Sequence, residues 1–219
     1  GKMFCYDSPE YVKDMGTPDR YYSVCADYRE GRVTGKNLKN KQKAIFLDRD
    51  GTINKYVGFL RNIDDFELID GVAEAIRKIN ESGYLAIVAT NQPVIARGEV
   101  SFDELEEIHN KMETLLGKEG AYLNAIYYCP HHPHKGYEGE RPELKIDCDC
   151  RKPKAGMLLK AAEDFNIDLS QSWMIGDGEN DIKAGINAGC KTVLIGNGDE
   201  NYGQMMMVDS LLAFVKMSL

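Results

Sequence analysis

Apolar residues along this chain gather into short runs, and between the runs they recur at helical spacing. Ala44–Leu47, Tyr84–Ala89, Leu123–Tyr128, Trp173–Ile175 and Thr192–Ile195 are such runs. Short apolar runs of this kind suit strands buried on both faces of a sheet. Between them, Val72, Ile76 and Ile79 share one face of a helix that Asp70 can cap and Gly83 ends. Ser101 and Glu104 form a capping-box pair before a helix reaching about Leu116. Met157, Leu158 and Ala161 give Lys154–Phe165 a buried face, and Glu179–Ala188 and Val208–Val215 complete the helices. Strands alternating with helices predict an α/β fold, a doubly wound, Rossmann-like parallel sheet. Ligands of such sheets collect beyond the carboxyl ends of the strands.

The pattern begins only at Lys43. Upstream, Arg29, Arg32, Lys36, Lys39, Lys41 and Lys43 stand against the single acid Glu30, which predicts a solvated basic linker. The stretch from Glu10 to Tyr28 has amphipathic pieces but too few apolar residues for a core. The expected organisation is an N-terminal arm with its linker over residues 1–42 and one domain over residues 43–219. A length of 219 residues accommodates that plan.

Composition narrows the partners. The net charge of −8 argues against nucleic acid, whose binding needs surplus Lys and Arg. An anionic small molecule stays open if a metal or a local cation receives it. No apolar run reaches the length of a membrane span, and no signal-peptide core is present, so the expectation is a cytoplasmic protein with no membrane partner. Six cysteines then suggest metal binding or reduced thiols rather than disulfides.

The candidate chemistry sits at the ends of the apolar runs. Ile45-Phe46-Leu47 leads into Asp48-Arg49-Asp50-Gly51-Thr52. Aspartates two apart point the same way if the strand continues. Two like charges that close repel unless a cation lies between them or one is protonated. Alone, the stretch also fits a strand end followed by a polar turn. Thr90-Asn91-Gln92 ends the second run, Arg151-Lys152-Pro153 precedes a helix, and Gly176-Asp177-Gly178-Glu179-Asn180-Asp181 ends the fourth run. Together they offer carboxylates for a divalent cation, a hydroxyl and an ammonium. That inventory suits phosphoryl transfer with Mg²⁺.

The order D-x-D-G-T, T-N-Q, a lysine before a helix, then G-D-x-x-x-D resembles the haloacid dehalogenase superfamily of phosphatases over residues 44–196. The resemblance implies Asp48 as nucleophile and Asp50 as acid and base, with Thr90 and Lys152 completing the catalytic set. It implies Mg²⁺ held by Asp48, Asp177 and the Asp50 backbone carbonyl. Asp181 would orient Lys152 or the metal's surroundings; a first-turn acid favoured by the helix dipole is its plainer alternative. A scaffold with a degenerate site is a different reading, and the presence of Asp48, Asp50, Lys152 and Asp177 argues against it.

Cys129-Pro130-His131-His132-Pro133-His134 and Cys148-Asp149-Cys150 flank a loop. Cys129, His131, Cys148 and Cys150 suit a four-coordinate structural Zn²⁺, with free thiols or a labile disulfide as the alternative. His132 and His134 read as surface loop residues. Cys5, Cys25 and Cys190 have no assigned role. A zinc loop before C-R-K-P resembles the heptose 1,7-bisphosphate 7-phosphatase family and the related histidinol-phosphate phosphatases. That likeness implies a phosphorylated sugar as substrate. It places Arg49, Tyr56, Val57, Gly58, Phe59, Asn91, Gln92, Pro93, Arg151 and Gly178 in contact with it, Arg151 on a second phosphate by bidentate pairing. Two departures touch these loops: Pro93-Val94 follow T-N-Q, and the loop from His131 to Cys148 is longer than usual.

Asp14-Met15-Gly16-Thr17-Pro18-Asp19-Arg20-Tyr21 resembles a segment near the end of sugar nucleotidyltransferase domains. It implies that residues 1–42 are what remains of a fused nucleotidyltransferase domain, without a nucleotide-binding core. The phosphatase domain itself is expected to be a monomer.

Overall fold

The computed structural model describes residues 2–3, 8 and 10–219. Cys5 lies outside them. A parallel sheet holds the domain together, built from β1 (Lys43–Leu47), β2 (Tyr84–Asn91), β3 (Ala125–Cys129), β4 (Trp173–Gly176), β5 (Lys191–Ile195) and β6 (Met206–Val208) in the order β3-β2-β1-β4-β5-β6. Successive side chains leave a strand on opposite faces, and the cores divide accordingly. Ile45, Leu47, Ala86, Val88, Trp173, Ile175 and Val193 face one cluster. Ala44, Phe46, Leu85, Ile87, Ala89 and Met174 face the other. Helices α3 (Val72–Glu81), α5 (Phe102–Lys118) and α8 (Leu211–Ser218) supply the first cluster, and α6 (Gly156–Asp164) the second. Helix α7 (Glu179–Ala188) packs so closely on β4 that a Cβ at Gly185 would lie 2.7 Å from Met174 Cβ. This is the doubly wound sheet expected from the pattern.

Three local expectations change. Asp70 is not the cap of α3: Gly71, at φ +81°, takes that place without a side-chain bond. The last helix does not begin at Val208, which ends β6 and pairs in parallel with Ile195. Ser210 resets the start, because its Oγ accepts from Ala213 N at 3.1 Å and its backbone is extended. Two short helices also went unforeseen, α2 (Arg32–Gly35) in the basic linker and α4 (Pro93–Ala96) directly after β2.

The arm carries helix α1 (Pro18–Arg29), capped by Thr17 with Pro18 in its first turn. Its one buried residue is Asp27, which accepts from Tyr11 Oη at 2.6 Å and Lys13 Nζ at 2.9 Å. Among the described residues, none of positions 2–42 joins a hydrophobic core cluster. Among the described residues, no helix is long and apolar enough to cross a membrane.

Candidate active site

Strand β1 lies between β2 and β4, with Leu47 paired to Val88 on one side and Ile175 on the other. Asp48, just past β1, Thr90, near the end of β2, and Asp177, just past β4, therefore come together at the carboxyl edge of the sheet. Asp48 N still donates to Ile175 O at 2.9 Å, which extends the sheet by one residue and aims the carboxylate outward. A cleft of about 240 Å³ opens there. Asp48, Asp50, Tyr56, Gly58, Phe59, Thr90, Asn91, Gln92, Pro93, Arg151, Lys152, Asp177 and Gly178 all line it. Leu60, Val94, Asn180 and Asp181 complete the lining.

Lys152 is buried and joins two carboxylates. Its Nζ donates to Asp48 Oδ1 at 2.8 Å and to Asp181 Oδ1 at 2.5 Å. Burial opposes its charge, but Asp181 and Asp48 outweigh that and hold it above the ordinary lysine range. Asp181 serves both readings given to it, since its Oδ2 also accepts from Gly178 N at the start of α7, at 3.1 Å. Burial pushes the Asp181 carboxyl up while the Lys152 ammonium pulls it back. Burial and then the Asp48 carboxylate push Asp177 up to about 6.

The polar groups of three expected substrate contacts are turned to other work. Arg49 is wholly buried and does not line the cleft. Its Nη2 donates to Asp50 Oδ2 at 2.9 Å and to Gln92 Oε1 at 3.0 Å. Gln92 in turn donates through Nε2 to Asp50 Oδ2 at 2.9 Å and Thr90 Oγ1 at 3.0 Å. Asn91 grips the backbone of Lys152, with Nδ2 on its carbonyl and Oδ1 taking its N–H, both at 3.0 Å. These three side chains hold Asp50, Thr90 and Lys152 in place. Val57 is exposed and lies outside the lining.

Two supports were missed by sequence reasoning. Asn54 Nδ2 donates to Asp50 Oδ1 at 3.1 Å. His109 of α5 places Nε2 3.3 Å from Arg49 Nη1. Burial, then the Arg49 guanidinium, lower His109 to about 4, so its ring is neutral at pH 7 and can accept from Arg49. Neither residue stands in a pattern that separates a buried polar group from a surface one.

The donor chemistry fits a hard cation. Asp48, Asp177 and Asp181 each place one carboxylate oxygen within 4.8 Å of the others. An all-oxygen set of this kind suits Mg²⁺. Gly51 makes the approach possible: at φ +84°, a Cβ there would lie 2.0 Å from Asp177 Oδ2. The Asp50 carboxylate is taken up by Arg49, Asn54 and Gln92.

A second cluster stands at the end of β3. Cys129, Cys148 and Cys150 lie 3.2–3.4 Å apart at sulfur, and His131 Nδ1 is 3.4 Å from Cys150 Sγ and 3.7 Å from Cys129 Sγ. Tetrahedral zinc with bonds of about 2.3 Å spans ligand edges of roughly 3.7 Å. A disulfide needs its sulfurs at ~2.05 Å, so the pairs are not bonded to each other. His132 is buried, contrary to the surface position expected of it, while His134 is exposed. Cys190 is a quiet thiol, pushed up to about 12 by burial.

Known proteins are similar to this chain in sequence and fold. The HAD-hydrolase-like family model matches residues 149–209. D-glycero-β-D-manno-heptose-1,7-bisphosphate 7-phosphatase of Haemophilus influenzae is 47% identical over 163 residues, covering 74% of this chain and 86% of its own length. The Escherichia coli K12 protein of the same name is 44% identical over 152 residues, covering 69% of this chain and 78% of its own. The solved D,D-heptose 1,7-bisphosphate phosphatase of B. bronchiseptica, complexed with magnesium and phosphate, superposes with a TM-score of 0.70 at 31% identity, covering 80% of this chain and 97% of that one. This chain is a haloacid dehalogenase-type phosphatase and belongs to the family of the heptose-1,7-bisphosphate 7-phosphatases.

Proposed function

We propose that the chain hydrolyses the 7-phosphate of D-glycero-β-D-manno-heptose 1,7-bisphosphate through an aspartyl-phosphate on Asp48. The observation that carries this reading is the convergence of Asp48, Asp50, Thr90 and Lys152 on one cleft, with Arg151 at its wall. Asp48 attacks phosphorus as the sugar oxygen leaves, and Asp50 gives that oxygen its proton. Asp50 then takes a proton from water, which attacks the aspartyl-phosphate and frees phosphate and Asp48. Arg49, Asn54 and Gln92 hold Asp50 for both steps. Thr90 and Lys152 meet the phosphoryl oxygens, and Lys152 offsets the repulsion between the Asp48 carboxylate and a phosphate dianion. Asp48, Asp177 and the Asp50 backbone carbonyl would hold Mg²⁺, which would supply further positive charge against the phosphate.

Arg151 separates a bisphosphate enzyme from a monophosphate one. Its Nη1 donates to His131 O at 3.1 Å, which leaves other guanidinium N–H groups for a second phosphate. Phosphate release with Mg²⁺ present is to be compared on both anomers of the heptose bisphosphate and on histidinol phosphate. The expected order puts the β anomer first. Arg151→Ala is expected to lower kcat/KM for the bisphosphate by roughly 10–100-fold, the loss of a charge-assisted pair. An unchanged rate on the bisphosphate removes that role, and preference for histidinol phosphate removes the sugar.

The Cys/His cluster is read as a structural zinc site formed by Cys129, His131, Cys148 and Cys150. The three thiol sulfurs and the imidazole nitrogen support it by converging within 4.8 Å of one another. Reduced protein is expected to hold one zinc per chain, and Cys150→Ser to lower both zinc content and melting temperature. Metal analysis that finds none in reduced wild-type protein refutes the site.

Residues 1–42 are read as an arm left from a fused sugar nucleotidyltransferase domain. Support comes from the Asp14–Tyr21 segment and from Tyr21, Tyr22 and Tyr28, which helix α1 leaves exposed. The chain as it stands is expected to transfer no nucleotide; measured nucleotidyltransferase turnover refutes this.

A further inference from the structure

The loop from His131 to Cys148 folds back onto the cleft through Arg97, a residue no motif singles out. Arg97 follows α4 and is 9% exposed. Its guanidinium carbon lies 4.0 Å from the centroid of the Phe59 ring and 4.5 Å from that of Tyr137. Phe59 lines the cleft, and Tyr137 belongs to the long loop. One desolvated cation thus meets both rings, and cation–π attraction strengthens as the cation loses water.

The loop side of this contact is itself braced. Arg97 Nη2 lies 3.4 Å from His132 Nε2. His132 Nδ1 lies 3.2 Å from the His134 carbonyl, which can only accept. The proton therefore sits on Nδ1, and Nε2 accepts from Arg97. Lys145, also buried, donates to the same carbonyl at 3.0 Å and stands 4.6 Å from the Tyr137 centroid. Backbones close the joint. Arg141 N donates to Ala96 O at 3.0 Å. A Cβ at Gly98 would lie 1.9 Å from Gly139 O, so only glycine allows the approach.

We propose that Arg97 is a positioning residue that clamps Phe59 against Tyr137 and so fixes the aromatic wall of the cleft for the body of the sugar. The proposal rests on the phosphatase reading of the cleft. It also gives the long loop a role, as the anvil against which the wall is set. Asp48, Asp50 and Lys152 are untouched by this contact. A loosened wall should weaken capture of a large substrate and leave a small one alone.

The test compares heptose bisphosphate with acetyl phosphate, which has no sugar body. Arg97→Met is expected to raise KM for the bisphosphate roughly tenfold with kcat within about twofold, and to leave acetyl phosphate kinetics unchanged. Phe59→Leu should raise KM likewise, and the double variant should be no worse than the poorer single one. Arg97→Lys, which keeps a cation, should recover part of the loss. Hydrogen exchange gives a substrate-free readout: Arg97→Met should speed exchange of backbone amides in residues 56–60 and 136–141 together. An unchanged KM, or equal losses on both substrates, overturns the clamp. If wild-type protein does not turn over the bisphosphate, the substrate reading falls, and exchange still decides: unaltered amides at 56–60 overturn the clamp.

Discussion

Asp48→Asn is expected to abolish phosphatase turnover, by at least about 10⁴-fold, while leaving the fold intact. An amide oxygen cannot attack phosphorus to form the acyl phosphate. The geometry otherwise survives, because an amide oxygen can still accept from Lys152 Nζ, now 2.8 Å from Asp48 Oδ1. The electrostatics balance: Lys152 trades one ion pair for a neutral acceptor while keeping Asp181, and the carboxylate crowd loses a charge. Asp48, Asp177 and Asp181 crowd three carboxylate oxygens within 4.8 Å. Burial and the Asp48 charge are what hold Asp177 up at about 6, so neutralising Asp48 relieves strain that the wild type carries for function. Without divalent metal, the variant should melt at the same temperature as wild type or above it. Phosphate release and calorimetry on the same protein check both halves. Substantial residual turnover ends the nucleophile assignment, and a lower melting temperature ends the repulsion argument.

The sheet and the carboxylate pair were legible because burial writes itself into sequence as apolar runs, and the runs end where the chemistry begins. Asp48, Thr90 and Asp177 each follow such a run, so placing them at one sheet edge needed no more than the parallel order. What side chains do next to such an edge was less legible. Motif resemblance groups Arg49 with substrate contacts, but β1 ends at Leu47 and the bend at Arg49 turns its guanidinium onto the Asp50 carboxylate, which no spacing records. Asn91 and Gln92 line the cleft yet point their amides at Lys152 and Asp50, a distinction no spacing records. Strand β6 was hidden because three residues give no periodicity, and Val208 suits a helix as well until Ser210 caps the one behind it. Arg97 and His132 were invisible for a different reason. Their burial depends on a long loop packing on α4, a contact between segments far apart in the chain.

Lys152→Met is expected to cost both rate and stability, and a second substitution separates the two. The ammonium sits with its side chain 2% exposed between Asp48 and Asp181, whose side chains are 14% and 5% exposed. Removing one partner of a buried ion pair leaves the other uncompensated, at a cost of about 3–5 kcal/mol. The burden falls on Asp181, the more buried of the two. Without Lys152, burial raises its folded pKa with only the Gly178 N–H left to pull it back. A carboxyl whose pKa is higher folded than unfolded binds more protons when folded, so the variant's stability falls as pH rises. The loss relative to wild type should therefore be greater at pH 8 than at pH 5. Lys152→Met/Asp181→Asn removes the stranded charge and should recover most of the stability at pH 8. It should not recover turnover, because the cation that faces the phosphate is still missing, a loss of roughly 10²–10³-fold in kcat. Denaturant melts at the two pH values and kcat on the double variant decide the matter. A stability loss equal at both pH values refutes the Asp181 argument, and restored turnover in the double variant refutes the catalytic role of Lys152.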